Sequence, residues 1–519
     1  MRLNCSVSPA VARGLPRLAP LALACTLALQ GGAAHAQDGP SQDAKVGAVH
    51  TLDARIRLGA EYIHLPGRER IGLVGMTELV NVGGDWWAGA GVYGSAAGRH
   101  GGFFVPGVEG GWSHPFNDWL AVDAGLFAGG GGGGAAPVGG GLMLRPHLDV
   151  VFRSPGFYTG PTFSRVWFPS GQIHSNQIGW MFNVDSSFRY RPAGFSGAAT
   201  DGSATGLGFD HVDAMVTFAK PHASTTTAGA PLTNRIGLVG LRAERIVDGP
   251  LWAGIETAGA ASGGVAGYAE VLATAGLRWP VVERLSVGVR ASAGLGGGGG
   301  IDTGGGFIVK AAVGATLRVT DTLGIGAELG VVDAPHLAHY KATTGAVSLN
   351  WALDVPQSEL DNWFNTKPGT PTRMEFGSAV EHYRAARKDG RTEALDAVAL
   401  QINRFVAPNL YLTGQLHSAF GGGAGAYSVG LFGVGGQLPV TARVRLGAEA
   451  LAGAAGGGGV DTQGGAIVQA RAYADVALTD ALSLRAGVGR IKSVHGGLGA
   501  PTLDAGIVFR FGVDRGGKH

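Results

Sequence analysis

Once a leader is set aside, this sequence has no cysteine. Cys5 and Cys25 both lie before residue 37. That stretch has the form of a cleaved export signal: Arg2, Arg13 and Arg17 accompany the apolar run "LAPLALACTLALQ", and "AHA" (34–36) has small residues at a signal-peptidase spacing. Cleavage before Gln37 leaves a chain that can form neither disulfides nor thiolate metal sites. The alternative, Cys25 as a lipoprotein cysteine, has Ala22 where leucine is usual. Charge is also scarce, at 15% of residues against about 25% in soluble domains. Removing the leader's three arginines leaves 37 basic and 38 acidic residues (40 − 3 against 38). Such a balance offers nothing to nucleic acid. Beyond the leader no apolar run approaches the ~18 residues of a membrane-spanning helix.

Glycine, by contrast, is abundant: 93 of 519 residues, more than double the usual ~7%. Much of it is clustered. "GGGGIDTGGGFIV" fills 297–309, "GGGGVDTQGGAIV" fills 456–468, and the looser "GGGGAAPVGGGLML" fills 131–144. Other landmarks repeat with the clusters. "RIGLVG" occurs at 70–75 and again at 235–240, an offset of 165; Asp302 and Asp321 match Asp461 and Asp480 at an offset of 159. The chain therefore divides into repeats over 37–190, 211–354 and 372–512, with joints at 191–210 and 355–371 and a tail at 513–519.

Within each repeat the apolar period is two, not 3.6. In "LSVGVRASAGL" (285–295) the residues Leu285, Val287, Val289, Ala291, Ala293 and Leu295 share one face, and Arg290 lies on the other. Strands of this length match the ~9–11 residues that cross a bilayer at a tilt. Eight strands fit each repeat, beginning in the second near 211, 235, 251, 265, 284, 306, 322 and 340. Tight connections such as "PVVER", "VTDTL" and "LTDAL" alternate with the glycine clusters and longer polar segments. Short turns on one side and longer loops on the other are the signature of an antiparallel transmembrane β-barrel. Trp86, Trp87, Trp112, Trp119, Trp252 and Trp279 fall beside the tight turns, where an interfacial girdle belongs. The glycine clusters are then the outer connections between strands five and six.

The last strand, "DAGIVFRF", carries Asp504, Gly506, Phe509 and Phe511. This pattern resembles the C-terminal assembly signal of bacterial outer-membrane β-barrel proteins, although "GVDRGGKH" follows it. The resemblance implies a porin-like protein placed in the bacterial outer membrane by the barrel-assembly machinery, with outer-membrane lipid as its other partner. It assigns no specific family.

Two architectures fit: one barrel of about 24 strands, or three tandem barrels of eight. Inward glycines such as Gly288, Gly294, Gly314, Gly324, Gly326, Gly447, Gly487 and Gly489 would leave voids in a narrow barrel. The single large barrel is therefore the expectation. The inward polar residues are Arg145, His147 and Asp149 in the first repeat, Arg290, Lys310, Arg318 and Glu328 in the second, and Arg443, Arg445, Glu449, Arg471, Asp475 and Arg485 in the third. They read either as a network that stiffens the wall or as a pore lining whose Arg and Lys surplus favours anionic solutes. The expected function is a channel or export pore rather than an enzyme, with a non-conducting structural or adhesion protein as the alternative. Short glycine-rich outer loops weigh against adhesion. No solute is identifiable, and no cofactor is expected.

Other chemistries fit poorly. "GGGGID" begins like a calcium nonapeptide, but calcium coils need tandem copies, and these stand 159 residues apart. A phosphate cradle needs Gly-Lys-Ser/Thr opening a helix, and none follows. "IHSNQIG" (173–179) is similar to the His-x-Ser-Asn stretch of outer-membrane lipid A deacylases. In a strand, however, His174 and Ser175 point to opposite faces. Arg145, His147 and Asp149 make a poor metal site, with one histidine and one carboxylate.

Overall fold

The alternation seen in the sequence becomes 24 antiparallel strands in a computed structural model, which describes residues 50–192, 209–320, 322–335, 337–353 and 372–513. The expected leader (1–36), most of the first joint and the whole 355–371 joint lie outside the described residues. The first eight strands are β1 (His50–His64), β2 (Arg70–Gly83), β3 (Trp86–Ala97), β4 (Phe104–Pro115), β5 (Leu120–Gly130), β6 (Leu142–Ser154), β7 (Phe157–Trp167) and β8 (His174–Pro192). The next are β9 (His211–Pro221), β10 (Ile236–Asp248), β11 (Leu251–Ser262), β12 (Ala269–Val282), β13 (Leu285–Gly297), β14 (Phe307–Arg318), β15 (Leu323–Asp333) and β16 (Lys341–Ala352). The last are β17 (Thr372–Ala386), β18 (Thr392–Ala407), β19 (Leu410–Ala419), β20 (Ser428–Pro439), β21 (Val444–Gly456), β22 (Ala466–Ala477), β23 (Leu482–Ser493) and β24 (Gly499–Val513). Among the described residues, a 3₁₀ turn, Pro66–Arg68, lies between β1 and β2.

Each set of eight closes on itself. β1 pairs with β8 from His50↔Tyr190 to Ala60↔Trp180. β9 pairs with β16 from His211↔Ala352 to Pro221↔Ala342. β17 pairs with β24 from Thr372↔Val513 to Tyr383↔Thr502. The chain thus forms three barrels of eight strands, and the expectation of one ~24-strand barrel is corrected. No voids result in these narrow barrels, because long side chains on the neighbouring strands lie over the inward glycines. A Cβ on Gly447 would strike the Tyr473 ring, one on Gly487 would strike Asp504 and Arg471, and one on Gly314 would strike Glu328.

Inward and outward faces are the reverse of those in a soluble barrel. Outward Leu329, Val347, Val488 and Leu503 are more than half exposed, whereas inward Arg145, Asp149, Glu244, Glu270, Asp475 and Arg485 are buried. Trp86, Trp119 and Trp279 face outward, as a girdle requires. Trp87 and Trp252 depart from that expectation: they turn inward under Arg55 and Arg242, with guanidinium carbons 4.4 and 5.5 Å from the ring centres.

Three joints hold the barrels in a ring. The loop after β3 of the first barrel meets the β13–β14 glycine loop of the second, where Gly101 N–H donates to Gly304 O at 2.8 Å. The β5–β6 glycine loop of the first barrel meets the loop after β19 of the third, where Gly425 N–H donates to Gly139 O at 2.9 Å. The loop after β11 of the second barrel packs on the β21–β22 glycine loop of the third, Gly267 against Gly456 and Gly457. Each barrel thus offers its fifth-to-sixth-strand glycine loop to the third-to-fourth-strand loop of a neighbour. This is a heterologous interface that closes after three copies, made here within one chain. Backbone meets backbone at these joints, so side chains have no space: Gly102, at φ +87°, would drive a Cβ into Gly298. At the tight-turn end a further seam joins the first and third barrels, where β8 pairs with β24 through Phe511↔Pro192 and Gly512↔Arg191.

Candidate functional site

The barrel interiors hold most of the buried charge, and strand parity puts it there. In β1, Arg55, Arg57 and Glu61 alternate with outward Ile56, Leu58 and Ala60. Arg57 meets Glu109 of β4 at 2.8 Å and also pairs with Asp149 of β6. His147 lies 3.2 Å from Arg57 and 3.1 Å from Asp149. Arg145 grips Glu61 with two hydrogen bonds, of 2.8 and 2.9 Å, and Ser164 donates a third to the same carboxylate at 2.6 Å. Bidentate geometry of this kind is the strong form of the ion pair.

The second barrel repeats the principle with different residues. Arg242 reaches Glu244 at 2.8 Å, Glu328 at 2.7 Å, Glu256 at 3.8 Å, and Asp213 as well. Arg290 bridges Glu256 and Glu328 at 3.0 and 2.8 Å. Lys310 holds Glu256 at 3.2 Å and also Glu270. Arg278 takes Glu244 at 2.6 Å. Arg318, at the tight-turn end, donates to the Glu283 carbonyl at 3.3 Å. In the third barrel Arg485 meets Asp475 at 2.7 Å and Glu375 at 3.0 Å, while Arg471 meets Glu449 at 3.3 Å and pairs with Asp504. Tyr411 donates to Glu449 at 2.8 Å and lies 2.7 Å from the Tyr473 hydroxyl.

The structure therefore places Arg145, His147, Asp149, Arg290, Lys310, Arg318, Glu328, Glu449, Arg471, Asp475 and Arg485 in the interiors of three separate barrels. Arg443 lies exposed in the tight turn before β21, and Arg445 enters that barrel's mouth. Sequence reasoning missed Arg57, Glu61, Glu109, Asp213, Arg242, Glu244, Glu256, Glu270 and Glu375. Parity within each strand was the signal for them. With these included, five interior cations among the described residues of the second barrel (Arg242, Arg278, Arg290, Lys310, Arg318) face five carboxylates (Asp213, Glu244, Glu256, Glu270, Glu328). The expected cationic surplus is absent there.

Above the charged layer each interior is stoppered by apolar side chains. Val138, Ile301 and Val460, one from each glycine loop, are buried among Phe103 and Phe127, Tyr268 and Leu272, and Tyr427 and Leu431 respectively. The cavities found inside the second and third barrels measure ≈ 30 and ≈ 20 Å³, room for about one water each. A much larger space, ≈ 1200 Å³, runs between the three barrels along their outward faces.

The aspartates of the glycine clusters brace loops. Asp302 accepts from Gly304 N–H at 3.3 Å and sits 2.8 Å from His339 Nδ1; Asp461 accepts from Gly497 N–H at 2.9 Å. Ser175 is 2% exposed and accepts from the His64 amide at 2.9 Å, with His64 Nδ1 3.5 Å away, while His174 points outward. Ser175 thus faces the barrel interior, away from His174. Among the described residues no group of three metal-ligating side chains forms. Asp504 and Gly506 of the terminal strand face inward, and Phe509 and Phe511 pack outward against Phe188, Tyr190 and Met374 at the seam.

No family model matches the chain, and no curated protein does. Solved structures similar to it include a de novo designed transmembrane β-barrel, at 17% identity over 28% of this chain and 98% of that one, with a TM-score of 0.20. The ferric enterobactin receptor PfeA of Pseudomonas aeruginosa is similar at 10% identity over 90% of this chain and 82% of that one, TM-score 0.28. OprB of Pseudomonas putida is similar at 10% identity over 89% and 94%, TM-score 0.23. The chain's own strand pairing, closed within each set of eight, defines its fold as antiparallel β-barrels.

Proposed function

We propose that this chain is an exported outer-membrane protein in which three small barrels are fused into one ring, and that it serves as a non-conducting envelope element whose lumens are shut at rest. One observation carries this reading: each interior combines an ion-paired layer with an apolar stopper drawn from its own glycine loop. Supporting it, the outward faces suit hydrocarbon, and β24 presents the terminal pattern that the assembly machinery would read. The test is conductance of the purified protein in a planar bilayer. The expected record is a flat baseline at moderate voltage, and steady open channels would overturn the reading.

A small-solute channel is the second reading. Arg242 favours it, because four carboxylates within 3.8 Å offer the exchange of partners that gating would need. Anionic solutes would then enter at the tight-turn mouth of the third barrel, where Arg373 lies near Arg445, Arg443 stands exposed in the adjoining turn, and Arg445 Nη1 has no hydrogen-bond partner. Brief, voltage-dependent openings abolished by Arg443→Glu with Arg445→Glu would support it.

A further inference from the structure

The ≈ 1200 Å³ space between the barrels is not a lumen, because its walls are the faces that elsewhere meet lipid. Ala90 and Ala128 of the first barrel, Leu241 and Val271 of the second, and Phe432 and Ile507 of the third line it. The glycine-loop joints converge at one end, where Gly102, Gly267 and Ala426 belong to its wall. At the tight-turn end the wall reaches Asn81 and Thr479 and turns polar. Walls this rich in apolar side chains favour hydrocarbon over water. At about 30 Å³ per water-sized group it holds on the order of 40 methylenes, the scale of the two chains of one phospholipid.

Three glutamates border the space: Glu109 and Glu270 turn into their barrels, where Arg57 and Lys310 pair with them, and Glu78 faces outward. Glu78 lies within β2 on the outward face, between Ile56 and Ala90 on the neighbouring strands. Among the described residues its side chain has no hydrogen bond or ion pair, and it borders the inter-barrel space. Asp396, another outward carboxylate, is answered by His382 at 2.7 Å. A charge on a lipid-facing wall is costly unless a partner meets it. An ionised Glu78 therefore draws its partner from whatever occupies the space.

We infer that the inter-barrel space is a binding site for one membrane phospholipid with an ammonium-bearing headgroup, its acyl chains running towards the glycine-loop joints and its ammonium paired with Glu78. The inference rests on the outer-membrane reading above. The probe is an equimolar mixture of phosphatidylethanolamine and phosphatidylglycerol added to the delipidated full chain in detergent, with retained lipid counted by native mass spectrometry. The expected result is about one lipid per chain, with phosphatidylethanolamine several-fold enriched. Glu78→Gln should abolish the enrichment, and Ala90→Trp with Ala128→Trp should abolish retention. Heat-modifiable gel mobility of each variant, taken from the membrane fraction, shows that the barrels have formed. A wild-type chain that forms barrels in the membrane yet retains no more lipid than the tryptophan variant would overturn the site. Equal retention of the two lipids would overturn the role of Glu78. A chain absent from the membrane fraction would instead overturn the outer-membrane reading.

Discussion

Gly101 of the first barrel donates its amide to the carbonyl of Gly304 in the second, at 2.8 Å. Neither residue has a side chain to keep the two backbones apart. This contact explains why a glycine cluster recurs three times: each copy is half of a backbone-on-backbone joint, and three joints close a ring. Replacing Gly102 by valine tests this directly. The left-handed backbone alone costs about 1–3 kcal/mol for a residue with a side chain, and a Cβ also meets Gly298. Gly102→Val should lower the thermal midpoint and loosen the first barrel from the second, detected as a longer spin-label distance across the joint. Gly390, where a Cβ meets open space at a similar φ of +85°, supplies the control: Gly390→Val should be strained but leave that distance unchanged.

Interior ion pairs should behave as desolvated partners. Removing one member of a buried pair typically costs 3–5 kcal/mol, because the other is left uncompensated. Arg485→Leu strands Asp475 and Glu375, so it should destabilise the third barrel by about that much in urea titration. Adding Asp475→Leu should recover part of the loss. A stability change below about 1 kcal/mol for the single variant would mean that water reaches this layer.

Much of this organisation was legible in the sequence. Period-two patterning located the strands of the second repeat to within about four residues, and parity put Val289 outside and Arg290 inside. The closure was not legible. Whether β1 meets β8 or the next repeat is decided by pairings more than a hundred residues apart, which no local pattern encodes. Glycines such as Gly447 read as voids because their counterparts, such as Tyr473, lie opposite them on the neighbouring strand and lean over the space. The same non-locality hid Glu256 and Glu270: each looks unremarkable in its own strand, and only the folded barrel brings both to Lys310.

Outward and inward substitutions on β13 should fail for different reasons. In the proposed membrane setting Val289→Arg puts a charge in hydrocarbon, at roughly 2–4 kcal/mol near the bilayer midplane. Arg290→Val leaves Glu256 and Glu328 short of a partner. Adding Glu328→Leu should rescue the second variant and do nothing for the first. Folding yield in lipid vesicles reads both. Rescue of Val289→Arg by the interior change would show the face assignment to be wrong.

Phe509 and Phe511 have two separable roles in this account. They carry the terminal pattern proposed to be read during assembly, and they pack on Phe188 and Tyr190 at the seam between first and third barrels, with ring centres 5.2 Å (Phe511–Phe188) and 5.8 Å (Phe509–Tyr190) apart. Substitutions on the β8 side remove the packing but leave the pattern. Phe188→Ala with Tyr190→Ala should therefore weaken the seam, seen as earlier melting of the purified protein, while outer-membrane yield stays near wild type. Phe509→Ala with Phe511→Ala should lose both, yield falling several-fold. If the β8 pair lowers yield as much as the β24 pair, the aromatic pattern matters for packing alone, and recognition by the assembly machinery has no support from it.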